Sequence, residues 1–143
     1  MSSDSLAALP HGPGFRFVDA VTELIPGKSA VAIYQVKEDE AFFAGHFPGN
    51  PLVPGVILIE AIAQLGGVVA QSDPAIAPLE NLLLTGVRAA KILGAALPGE
   101  ELTLKAEVEG RLGPMIQVSG EVAVGGRVLA TAKIMLSGQE SGA

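Results

Sequence analysis

The sequence predicts an α+β domain in which one antiparallel sheet wraps around a single long, buried central helix. Three observations lead there. Between Pro54 and Ala70 the apolar positions Val56, Ile57, Leu58, Ile59, Ala61, Ile62, Leu65, Val68 and Val69 cover every face of a helix, so that helix should be enclosed on all sides. Further on, Leu102, Leu104, Ala106 and Val108 alternate with Thr103, Lys105, Glu107 and Glu109, the period of two expected of a half-buried strand. Residues 116–124 and 128–136 then repeat the alternation across Gly125-Gly126, a link suited to a hairpin turn with positive φ. Helix and strands each have an apolar face to hide, and stacking one on the other satisfies both.

Taken in order, Phe15, Phe17 and Val21 open a short strand, and residues 30–36 give a second after the turn pair Pro26-Gly27. Prolines and acidic side chains across 37–53 interrupt regular structure and make a long ordered loop. Pro54 suits the first turn of the helix, which Ser72, Asp73, Pro74 and Pro78 bring to an end. The rest reads as strands. One domain spans 6–137, and the polar ends 1–5 and 138–143 read as disordered tails.

Composition narrows the function. At 143 residues and 49% hydrophobic content, the chain can bury a core without covalent staples. The absence of Cys removes disulfides, thiolate nucleophiles and sulfur metal sites, and it fits a cytoplasmic location. No basic segment followed by an apolar run marks the N-terminus as a secretory signal. The one long apolar stretch is broken by Glu60, Gln64 and Gly66-Gly67 and falls short of the roughly 20 residues that span a bilayer. A net charge of -6, with no Trp and one Tyr, argues against a nucleic-acid surface. High apolar content also fits a surface partly covered by another subunit or an apolar ligand.

Familiar catalytic motifs are missing. Pro26-Gly27-Lys28-Ser29 superficially resembles a phosphate loop, but the first glycine of that motif would fall on Thr22. There is no G-x-S-x-G, no H-E-x-x-H and no dinucleotide-binding glycine turn, and two histidines make a poor metal site. No metal and no cofactor is expected. What stands out is the run from Gly45 to Gly55, followed by Glu60 in an apolar helix. Pro48, Pro51 and Pro54 recur at the period of a polyproline II segment and stiffen the loop that carries His46. Gly55 stands at the helix start, where a residue without a Cβ lets a ligand approach backbone N–H groups reinforced by the helix dipole, a plausible oxyanion hole. Burial of Glu60 should disfavour its charged form, and a neutral carboxylic acid can donate a proton.

Each of these residues also has a plainer reading. His46 alone serves equally as a hydrogen-bonding anchor, and Glu60 as the partner of Arg16, Arg88 or His11 in a structural pair. Gln64, one turn beyond Glu60, either orients that carboxyl or satisfies a backbone group. His11 reads as structural, and the proline ladder also fits a plain rigid turn.

The run His46-Phe47-Pro48, with Pro51, Pro54, Gly55-Val56, Glu60-Ala61 and Ala63-Gln64, resembles in sequence and spacing the signature of the FabZ-type 3-hydroxyacyl-acyl-carrier-protein dehydratases of bacterial fatty acid synthesis. The resemblance extends to Leu9-Pro10-His11, Phe15 and Val18-Asp19 upstream, and to Pro98-Gly99-Glu100 and the last three strands downstream. It implies a hotdog fold and a homodimer with one continuous sheet, and members of the family often assemble three such dimers into a hexamer. His46 of one subunit would face Glu60 of the other across an acyl tunnel. The implied reaction turns a (3R)-3-hydroxyacyl thioester, borne on acyl carrier protein, into the trans-2-enoyl thioester. His46 takes the proton beside the carbonyl, Glu60 helps the hydroxyl leave as water, and the Gly55 amide polarises the carbonyl. Phe47, Pro54, Val56 and Gln64 support that constellation. Relatives that also isomerise the double bond usually carry Asp at the Glu60 position, which favours dehydration without isomerisation.

Two segments depart from the family pattern. His11-Gly12-Pro13-Gly14-Phe15 lacks the basic and aromatic side chains usual there, and residues 88–97 lack a basic, aromatic stretch. Arg88 and Lys91 remain as candidates for docking an acidic carrier, and read equally as ordinary solvated charges. Two other functions fit the same frame: a hotdog acyl thioesterase, and a non-catalytic acyl-binding subunit.

Overall fold

A computed structural model describes residues 15–44, 49 and 51–140. Strands β1 (Ala20–Ile25) and β2 (Ser29–Gln35) form a hairpin, and a short 3-10 turn follows at Ala41–Ala44. Helix α1 (Gly55–Ala70) comes next, then β3 (Glu80–Ile92), β4 (Glu101–Leu112), β5 (Met115–Val124) and β6 (Arg127–Gln139). The six strands make one sheet in the order β1-β2-β4-β5-β6-β3, with every pairing antiparallel. Alternation puts Ala32, Tyr34, Leu102, Leu104, Ile116, Val118, Val122 and Ile134 on the inner face, where they close over Leu58, Ile62, Leu65 and Val69 of α1.

Two glycines set the distance between helix and sheet. A Cβ at Gly120 would stand 2.5 Å from Ile62 Cγ2 and 2.6 Å from the Lys105 carbonyl oxygen, and one at Gly66 would stand 2.8 Å from Val118 Cγ1. Absent side chains on both surfaces therefore let α1 sit closer to β4 and β5 than two ordinary side-chain layers would allow. The β5–β6 hairpin turns on Gly125 and Gly126, with φ of 54° and 84°, as the Gly-Gly pair predicts.

The structure departs from the sequence reading at several points. The helix has 16 residues, and Pro54 stands just before it as the N-cap, with φ -56° and ψ 137°, the extended angles expected of a proline ladder. The helix is not enclosed on all sides, because Val56 in its first turn is 74% exposed. Phe15 and Phe17 precede the first strand; their rings pack edge to face on each other at 4.8 Å, and Phe17 packs on Tyr34 at 5.8 Å. At the other end β6 runs to Gln139, which pairs with Glu80, so residues 138 and 139 belong to the sheet and not to a tail. Among the described residues no helix is long and apolar enough to cross a membrane.

Candidate active site

The candidate site residues of the helix lie in the first turns of α1. Pro54 has no N–H and gives no side-chain cap, so the first amides of the helix, at Gly55 and Val56, have no acceptor within the helix itself. Aligned peptide dipoles add partial positive charge at that end. A Cβ at Gly55 would meet Ile92 Cγ1 at 3.1 Å, so the end of β3 closes one side of the helix start. The approach to the helix is tied down by the Val53 N–H, which donates to the Ala96 carbonyl at 2.9 Å.

Glu60 lies one turn and a half into the helix and is half-buried, where the sequence led us to expect enclosure. Gln64 follows it by one turn, is 2% exposed, and is the one buried polar or charged side chain among the described residues apart from Tyr34. Its Oε1 accepts from the Phe17 N–H at 2.8 Å. Its Nε2 donates to the Phe15 carbonyl at 2.9 Å and to Glu60 Oε2 at 3.1 Å. Both readings of Gln64 are therefore realised in one side chain: it satisfies backbone groups of the segment before β1, and it holds the carboxylate.

A second anchor was not foreseen from sequence. The Tyr34 hydroxyl, at the end of β2, donates to Glu40 Oε2, and the Glu40 carboxylate also accepts from the Lys37 backbone N–H at 3.4 Å. Lys37 stands over the Tyr34 ring at 4.7 Å and bridges to Asp19 at 3.8 Å. Phe42, in the 3-10 turn just past Glu40, packs on Phe43 at 4.9 Å and reaches Phe17 at 6.2 Å. This cluster holds both the stretch that leads towards His46 and the Phe15–Phe17 segment that Gln64 grips. A lone Tyr with an acid six residues on has no period to betray it. His46 itself, with Phe47 and His11, lies outside the described residues.

Arg88 and Lys91 lie exposed on β3, opposite Lys133 and Thr131 of β6 respectively. Lys133 is exposed too and joins them to make three cations on one sheet face, a neighbour that only the strand register reveals.

A FabA-like domain model matches residues 9–133. Among curated proteins, the 3-hydroxyacyl-[acyl-carrier-protein] dehydratase FabZ of Syntrophotalea carbinolica is 37% identical over 131 residues, covering 92% of this chain and 89% of that protein. The protein of the same name from Thermoanaerobacter pseudethanolicus is 34% identical over 146 residues, covering 99% of each. Among solved structures, the dehydratase heterocomplex ApeI:P from Xenorhabdus doucetiae superposes with a TM-score of 0.80 at 20% identity, covering 99% of this chain and 93% of that one. A hypothetical thioesterase from Streptococcus pneumoniae, solved with coenzyme A, gives 0.64 at 16% identity, covering 85% and 88%. At such identities the two structures speak for the shared fold alone.

Proposed function

This chain belongs to the FabA-like family, and from that premise we propose that it removes water from (3R)-3-hydroxyacyl thioesters carried on acyl carrier protein, giving trans-2-enoyl thioesters for fatty acid or related acyl-chain synthesis in the cytoplasm. The observation that carries this reading is the Glu60 carboxylate, held by buried Gln64 on the helix whose uncapped N-terminus begins at Gly55.

In the proposed reaction His46 removes the proton from C2, and the C–H electron pair becomes the C2=C3 double bond. The pair of the C3–O bond leaves with oxygen, which takes the Glu60 proton and departs as water. Charge that builds on the thioester oxygen is met by the Gly55 amide and the helix dipole. Acid and base suit different settings, a carboxyl in an apolar helix and an imidazole on a proline-stiffened loop. The protein acts as a homodimer, with His46 and Glu60 of each site drawn from different subunits. Arg88, Lys91 and Lys133 receive the acidic carrier; like charges set opposite one another repel, an arrangement that an anionic partner relieves.

The test is incubation with a 3-hydroxyacyl thioester on acyl carrier protein or on a pantetheine mimic, with products followed by mass. Loss of one water is expected; free acid would mean hydrolysis, and no change across chain lengths would mean binding alone. His46→Ala and Glu60→Gln should each remove dehydration with the fold retained, and near-normal turnover by either would refute the assignment. Mixing the two inactive variants should restore part of the activity, and no rescue despite subunit exchange would count against a shared site. Lys133→Glu should raise KM for the carrier-borne substrate and leave the mimic unaffected.

A further inference from the structure

We propose that Gln64 decides which oxygen of Glu60 carries the transferable proton: Oε2 is kept as an acceptor, and Oε1 delivers the proton to the departing hydroxyl. This rests on the dehydratase reading above and gives Gln64 the part of a positioning residue. The Gln64 amide has one possible polarity. The Phe17 N–H can only donate, so it must face Oε1, and the Phe15 carbonyl can only accept, so it must face Nε2. Turning the amide over would set like poles against each other at both contacts, in a side chain that is 2% exposed.

The second Nε2 hydrogen is thereby directed to Glu60 Oε2, 3.1 Å away. An amide nitrogen accepts nothing, and a hydroxyl oxygen is a poorer acceptor than a carbonyl oxygen, so a carboxyl proton on Oε2 would weaken that contact, whereas one on Oε1 leaves it intact. The neutral acid holds its proton on Oε1. During elimination the base takes the C2 proton, the double bond forms and the C3–O pair departs with oxygen. That oxygen takes the Oε1 proton and leaves as water, while Glu60 becomes a carboxylate whose Oε2 is already hydrogen-bonded. The amide contact thus strengthens as negative charge grows on Glu60, which is when stabilisation accelerates the step.

A purely structural Gln64 would matter equally for any substrate, whereas one that aims an acid matters only where the leaving group needs a proton. Turnover of 3-hydroxybutyryl- and 3-chlorobutyryl-pantetheine, the second losing chloride unaided, separates the two. Gln64→Leu and Gln64→Glu should lower kcat on the hydroxy substrate about 10- to 100-fold, part of the usual worth of general acid catalysis, with KM changed less than about threefold. On the chloro substrate kcat should change less than about threefold. Equal losses on both substrates, or no loss on the hydroxy substrate, would overturn the proposal.

Glu60→Gln in the same assay guards the premise: if it keeps full hydroxy turnover, the acid assignment itself fails, whatever Gln64 does. Should both Gln64 variants fail to fold, NMR of the wild-type protein decides. Both hydrogens of the Gln64 side-chain amide should be protected from exchange, and Glu60→Ala should release one of them only. A fast-exchanging hydrogen in the wild type, or none released in Glu60→Ala, overturns the proposal.

Discussion

Tyr34 is 2% exposed, and its one polar atom is spent on Glu40. Burial pushes its phenol well above the ordinary tyrosine range, and the hydrogen bond to Glu40, the charge of Glu40 and the charge of Asp19 push it the same way. A group whose pKa is raised by folding gives stability that is fully present below the unfolded value and is lost as pH climbs towards the folded one. The window therefore opens at about pH 10, where tyrosine in an unfolded chain ionises, and continues upward from there. Urea unfolding across that range should show stability falling as pH rises, and Tyr34→Phe should flatten the fall. The chain has one Tyr and no Trp, so tyrosinate absorbance reports this side chain alone and should appear only as the protein unfolds. Tyrosinate formed while the fold persists, or identical alkaline limbs in the two proteins, would show that the phenol is not the source. Nothing in the sequence paired Tyr34 with Glu40, whereas Gln64 was legible beside Glu60 because a helix puts residues four apart on one face.

Elements were legible where their period was intact. α1 and the β4, β5 and β6 run were evident because unbroken apolar or alternating patterns leave little choice of structure. β3 was not legible as one 13-residue strand, and its geometry explains why. Its register with β6 shifts at three places, Asn81 and Ala89 take positive φ, and its apolar residues include Leu83, Val87 and Ile92, all about half exposed or more. Bulges and a wet apolar surface both erase the period of two. The sequence also gave no hint that glycines set the helix–sheet distance. Gly120→Ala should cost about 1–3 kcal/mol, because the new Cβ meets a backbone carbonyl that cannot swing aside as well as Ile62. Gly67→Ala should instead be neutral or stabilising by up to about 1 kcal/mol, since its Cβ would meet only Leu82 at 3.7 Å and alanine suits a helix better. Thermal unfolding of the pair measures the contrast, and a Gly120→Ala protein as stable as wild type would mean that the helix can move off the sheet without cost.

At the scale of the whole molecule, the sheet ends on β3, a 13-residue strand with no strand on its outer side among the described residues. Leu83 is 61% exposed, Val87 49% and Ile92 51%, and Leu93 beyond the strand is 61% exposed. Natural edge strands are usually short, charged or covered, because a long apolar edge recruits another strand. Here that edge suits the β3 of a second copy, which would extend the sheet across a dimer and bring Gly55, packed on Ile92, to the seam. Such a junction hides apolar side chains and satisfies the outward backbone groups of both strands, whereas a monomer leaves both to water. Val87→Lys places a charge in the junction without removing anything from the core. Sedimentation of the wild-type protein should give a dimer or a multiple of one, and Val87→Lys should shift it to monomer with its circular dichroism retained. If His46 and Glu60 meet only across the seam, the monomer should lose dehydratase activity and regain it in part as rising concentration forces association. A fully active Val87→Lys monomer would place both groups of the site in one chain, and a variant that stays dimeric would move the junction away from β3.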